Sequence, residues 1–202
     1  DVTTARDAAV LSGLQTLAPE IIEPLGALSQ DLWNVVDALP QGGRVLFATH
    51  KSWPRPENPM LSTWNALNTI REWRGDTHFA ILANDGIGIV EAGLLHDAWM
   101  GYPKEWIPRS RGADDAEIEH GLQKLAERGF VTNGVVNDAG VSYRQSLEDR
   151  TDELSQLAWR LFGEANTLEM LSIIEPVGQR FVEHINVTAG ENWMPAARPR
   201  RR

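Results

Sequence analysis

The sequence predicts a mainly α fold with small β-hairpin wings, organised as tandem degenerate winged-helix units, and three observations carry that prediction. Apolar residues recur at three- and four-residue steps along most of the chain. Phe130-Val131-Thr132 and Val135-Val136 flank Asn133-Gly134, a pair that tolerates the positive φ angles of a type I′ hairpin turn. Leu82-Ala83-Asn84-Asp85-Gly86-Ile87 and Leu125-Ala126-Glu127-Arg128-Gly129-Phe130 share the pattern L-A-x-x-G-apolar, and an Ala-Gly pair follows each, Ala92-Gly93 and Ala139-Gly140. The shorter gap in the first copy leaves room only for a rudimentary wing.

From Thr3 to Ala38 the apolar spacing, with Pro19 and Pro24 as breaks, reads as two or three short helices. Pro40-Gln41-Gly42-Gly43 reads as a turn and Arg44-Val45-Leu46-Phe47-Ala48 as a short strand or extended segment. After the loop Trp53-Pro54-Arg55-Pro56, Asn58 supplies an N-cap and Pro59 the proline that suits a first helical position. The helix that starts there carries Leu61, Trp64, Leu67 and Ile70 and meets Gly75. Arg74-Gly75-Asp76 then reads as a tight turn, with Asp76 capping a second helix over 77–84, which makes a helix-turn-helix. A third helix follows around Ile89 to Trp99, and Gly101-Tyr102-Pro103 marks the best internal boundary.

Beyond it, Asp114 or Asp115 caps a helix with Ile118, Leu122 and Leu125 on one face; the Asn-Gly hairpin follows; Asn137-Asp138 caps a long helix through Leu161. Helix, two-stranded wing and long helix together make a winged-helix unit over Asp114 to Leu161. A last helix is expected over about Ala165 to Ile185, interrupted near Pro176, before a basic tail. The resulting domains are 1–42, a helical segment; 43–101, a first, degenerate winged helix; 102–185, a second with long C-terminal helices; and 186–202, a tail.

Composition excludes several functions. Of 202 residues, 42% are apolar and 23% charged, as in ordinary globular chains. With 19 Lys+Arg against 28 Asp+Glu the formal charge is −9, which repels polyanions unless the cations are segregated. The absence of cysteine rules out disulfides, thiolate metal sites and a cysteine nucleophile, and it fits a reducing cytoplasm. No apolar run reaches the ~20 residues of a membrane span. Asp1 in place of an initiator methionine, without a leader pattern, reads as the start of a piece of a longer polypeptide.

Chemistry is densest between Trp64 and His78. Arg71 and Arg74, at i and i+3 on one helix face, are spaced to clamp a carboxylate or phosphate. Trp64 and Trp73, with Trp99, are candidate walls for an aromatic or anionic ligand, and Glu72 is a further binding candidate. His78 is a candidate acid–base group near neutral pH, oriented by Asp76 or Glu72. The same residues also suit a purely structural set: a cap at Asp76, ion pairs at Arg71 and core positions at Trp64 and Trp73. His50, His96, His120 and His184 lack metal-ligand spacing, so no metal is expected, and no residue pattern names a cofactor.

Two stretches carry a resemblance, Gly43-Arg44-Val45-Leu46-Phe47-Ala48 and Thr63-Trp64-Asn65-Ala66 through Arg71-Glu72-Trp73-Arg74-Gly75-Asp76-Thr77-His78. They resemble a large actinobacterial family of helix-turn-helix proteins with a stretch close to L-R-E-H-R-G-D-G-H, and the likeness continues through Arg128-Gly129 and Glu148-x-x-Thr151-Asp152. It covers about Gly43 to Phe162. Trp73 stands where that family has histidine and Thr77 where it has glycine. The wing and the long helix after Asp138 are distantly similar to MarR-type regulators. The resemblance implies a fold, and a fold does not fix a function.

Two functions follow as expectations. One is a winged-helix scaffold that binds or transforms a small anionic or aromatic metabolite at the Arg/Asp/His/Trp cluster. The other is a MarR-like transcriptional regulator, dimeric through its long helices, reading DNA with Arg71, Arg74, Thr77 and His78. DNA is the disfavoured partner, because Asp114, Asp115, Glu117 and Glu119 stand on the reading helix of the second unit and the wing carries no cation. Arg198, Arg200, Arg201 and Arg202 in the tail could hold phosphates without sequence preference.

Overall fold

The computed structural model describes residues 2–188, so the basic tail lies outside the described residues. The elements, in chain order, are α1 (Val2–Leu17), a 3-10 turn (Pro19–Ile21), α2 (Ile22–Ala27), α3 (Ser29–Ala38), α4 (Val45–Lys51), α5 (Pro59–Asn84), α6 (Ile89–Met100), α7 (Trp106–Ser110), α8 (Asp115–Glu127), β1 (Val131–Thr132), β2 (Val135–Val136), α9 (Asp138–Phe162) and α10 (Glu164–Thr188). The protein is mainly α with one two-stranded hairpin among the described residues. It divides into two compact units, one from residues 2–76 with 154–188 and the other Thr77–Glu153, and the dividing points fall inside α5 and α9.

In the first unit, buried Leu14, Leu25, Leu32, Val36, Ile70 and Phe162 belong to one apolar core. Several of its polar side chains are paired within it. The Trp33 indole donates to Ser62 Oγ at 2.9 Å, and Thr63 Oγ1 donates to the Leu25 carbonyl at 2.8 Å. The predicted extended segment at 44–48 is instead helical, in α4. A strand needs a partner for its backbone groups and none lies alongside, whereas a helix satisfies them within itself. Asp76 completes it, its Oδ2 accepting from Phe47 N at 2.9 Å in the first turn, where a carboxylate also meets the positive end of the helix dipole.

Asp76 is therefore not the cap of a helix of its own. The turn expected at Gly75 does not exist, since α5 runs unbroken for 26 residues from Pro59 to Asn84. A glycine in a helix interior costs only about 1 kcal/mol relative to alanine. Burial of Ile70, Trp73, Thr77 and Ile81 on both sides of Gly75 outweighs that cost. The start of α5 is as predicted, with Asn58 Oδ1 accepting from Leu61 N at 3.1 Å. Pro176 likewise lies inside α10 without ending it.

In the second unit α7, a turn and α8 follow one another, with the β1–β2 hairpin next in sequence. Asp114 and Glu117 make a reciprocal capping box at the start of α8. Asn133 and Gly134 take φ of 53° and 75°, and Val131 pairs with Val136 and Thr132 with Val135. Asn137 Oδ1 accepts from Gly140 N and so caps α9. Gly121 lets α8 approach α6 closely, because a Cβ there would stand 2.9 Å from Val90 Cγ1.

The internal repeat has a local physical origin. In both copies the apolar residue after the glycine donates its N–H back five residues, Ile87 to the Leu82 carbonyl and Phe130 to the Leu125 carbonyl, each at 2.9 Å. Gly86 and Gly129 both have positive φ. This is the Schellman C-cap, so what repeats is a helix ending. A hairpin follows the second copy; α6 follows the first, with no wing before it.

Candidate functional site

The boundary between the units falls after Asp76, so Trp64, Arg71, Glu72, Trp73, Arg74 and Asp76 belong to the first unit and His78 to the second. Arg71 is exposed and paired with neighbouring Glu72 at 2.7 Å. Trp73 is buried, its indole donating to the Pro40 carbonyl at 3.1 Å, with the Arg44 guanidinium 4.1 Å from the ring centroid. Trp64 is 38% exposed on α5. The Asp76 carboxylate is engaged at the start of α4.

His78 lines a cavity. A cavity of about 400 Å³ in the second unit is lined by His78, Phe79, Leu82 and Ala83 of α5, by Ile87 and Gly88, by Ile89, Ala92, Gly93 and His96 of α6, by Ile107 and Arg111, and by Arg144 of α9. The walls are aliphatic and aromatic, two guanidinium and two imidazole groups supply the polar atoms, and no carboxylate lines it. The volume suits a small organic molecule.

Arg144 is the unusual member. It lies on the α9 face that also carries Leu147 and Thr151, both fully buried, and is itself 5% exposed. Its Nη2 donates to His96 Nδ1 at 3.0 Å and is ion-paired to Glu148 Oε1 at 2.6 Å, and its guanidinium lies 4.6 Å from the Trp99 ring centroid. Its Nη1 is buried and has no hydrogen-bond partner among the described residues.

Because a guanidinium cannot accept, the 3.0 Å contact fixes His96 Nδ1 as the acceptor and places the ring proton on Nε2. Burial, then the Arg144 charge, push the His96 pKa down to about 4, so the ring is neutral at pH 7. The ring sits 5.6 Å from Trp99 and 5.7 Å from Tyr102, centroid to centroid. Thr151 donates its one hydroxyl proton to the Leu147 carbonyl at 2.6 Å, so at 3.0 Å it accepts from His78 Nδ1. Next to His96, Asp97 accepts from Ile107 N at 3.2 and 3.0 Å and ties α6 to the first turn of α7; burial raises its pKa to about 6.

The reading face is acidic. Asp115 and Glu119 are exposed on α8, and with Glu105 they border an open groove of about 440 Å³ that reaches Gly134 of the wing. Arg109 is held by Glu105 and Asp115, both at 2.8 Å. Thr77, expected to face DNA in the first winged-helix copy, is 3% exposed.

Residues 1–188 match a family described as a helix-turn-helix family. The chain belongs to this helix-turn-helix family. Comparison with curated proteins and with solved structures finds no match. In this helix-turn-helix protein no described helix is by itself long and apolar enough to cross a membrane, and no three His, Asp or Glu side chains of the described residues gather as a metal site.

Sequence reasoning passed over Arg144, His96 and Arg111. Arg144 was open to it in part, as a cation three and seven residues before Leu147 and Thr151 in an otherwise apolar register. His96 and Arg111 gave no such signal, because their meaning lies in what folds against them.

Proposed function

We propose that this helix-turn-helix protein binds a small anionic molecule with an aromatic or otherwise apolar body in the cavity bounded by His78, His96, Arg111 and Arg144. One observation carries the reading, the unpartnered Nη1 of the buried Arg144. A buried donor on a charged group left without an acceptor costs about 1–3 kcal/mol or more, and an incoming oxygen restores that interaction. The apolar walls supply burial for the rest of the molecule.

Trp99 stacks on the Arg144 guanidinium and is the built-in reporter. Tryptophan fluorescence titrated with a panel of aromatic and aliphatic acids should saturate for at least one of them. Arg144→Gln should weaken that binding at least about tenfold, as expected when a charge-assisted hydrogen bond is removed. Arg71→Ala, on an exposed residue of the first unit, should leave it unchanged. No saturable response to any acid, or equal binding by Arg144→Gln, would sink the reading.

The alternative, a dimeric DNA-binding regulator, draws on the helix-turn-helix and its wing. It requires phosphate contacts that Asp115 and Glu119 oppose, and neither wing-turn residue is a cation.

A further inference from the structure

We propose that the cavity selects a singly charged carboxylate and rejects a doubly charged phosphate ester, with Glu148 as the residue that sets this charge count. The inference rests on the ligand-binding reading above and goes beyond it to the class of acid.

The count starts at Arg144. Its Nη2 donates to His96 Nδ1 at 3.0 Å and is ion-paired to Glu148 Oε1 at 2.6 Å. One arm of the fork of Nη1 and Nη2 that grips a phosphate or carboxylate through two oxygens is therefore already engaged. Nη1 is the nitrogen left without a partner, and one nitrogen holds one oxygen. Glu148 also cancels the Arg144 charge: its side chain is 14% exposed and that of Arg144 6%, so water screens the pair weakly.

His96 does not raise the total. His96 is neutral with its proton on Nε2, so it donates a hydrogen bond without adding charge. Arg111, at the exposed edge, brings one positive charge. The permanently charged groups at the cavity, Arg144, Arg111 and Glu148, then sum to a single positive charge that a monoanion neutralises. A dianion leaves one charge unmatched, close to the Glu148 carboxylate. Its desolvation is also costlier, since the cost of moving an ion out of water rises with the square of its charge.

Benzoate and phenyl phosphate test this directly, because they share a flat apolar ring and differ in charge at pH 8. Titrating the intact chain with each, by tryptophan fluorescence or calorimetry, should give at least about tenfold tighter binding of benzoate, the scale at which charge mismatch discriminates. Glu148→Gln removes the opposing charge and should shrink that ratio toward one or reverse it. A second measurement needs no variant. The second phosphate proton has a pKa near 6, so phenyl phosphate becomes a monoanion at about pH 5 and should then approach benzoate in affinity. Benzoate, ionised at both pH values, is the control for titration of His78, His96 and Asp97 within the same unit.

Phenyl phosphate binding as tightly as benzoate at pH 8, or a ratio that stays the same at pH 5 and in Glu148→Gln, overturns the charge count while leaving ligand binding intact. Binding of neither compound, together with silence across the acid panel, overturns the ligand-binding reading itself.

Discussion

His96 and Asp97, neighbours on α6, titrate in opposite senses within one window of pH. Folding lowers the histidine pKa from 6.5 to about 4, so the unfolded chain binds more protons between those values. Its contribution to stability is present above pH 6.5 and is lost as pH falls through 4. Asp97 behaves the other way: its folded pKa rises from 3.8 to about 6, so its contribution is full below 3.8 and is lost as pH rises through 6. The two partly cancel in the native protein. Asp97→Asn keeps an oxygen for Ile107 N and removes one of the slopes, so its melting temperature should climb more steeply than wild type between pH 4 and 6.5. His96→Gln retains an acceptor for Arg144 and should climb less steeply. Parallel pH profiles for wild type and both variants would mean that neither side chain is buried as described.

At the level of elements, Gly75 separates the two ways of reading α5. In a turn with positive φ, alanine would be strained; in the helix observed, a Cβ meets nothing nearer than Glu72 Oε2 at 3.7 Å. Gly75→Ala should therefore stabilise the protein by roughly 0.5–1 kcal/mol in denaturant titration. A loss of stability would restore the turn. Gly121→Ala should do the opposite and destabilise, because its Cβ would press on Val90 where α6 and α8 pack. Asp114→Ala removes one half of the capping box on α8 and should cost about 1 kcal/mol. The same helix bears on the DNA reading through its exposed carboxylates.

For the whole molecule, charge gives the prediction that separates the two functions. At −9, with an acidic α8, the intact chain should fail to retard a DNA fragment taken from beside its own gene, even at low salt where phosphate contacts are strongest. Retardation at low salt that fades at high salt would favour the regulator. Much of the architecture was legible beforehand wherever a short segment decides its own shape. The Asn133-Gly134 turn, the caps at Asn58, Asp114 and Asn137 and the two Schellman endings depend on groups a few residues apart, and sequence alone determined them. It also excluded thiol chemistry and placed His78 in the densest segment. Tertiary structure decided the rest. Gly75 stays helical because buried residues on both sides hold it, and α4 is helical with a carboxylate 29 residues away at its first turn. The cavity joins residues from His78 to Arg144, so its charge count and the orphaned Arg144 nitrogen exist only once the chain has folded. Local hydrogen bonds can be read in order along a chain, whereas burial and pairing depend on which distant residues meet.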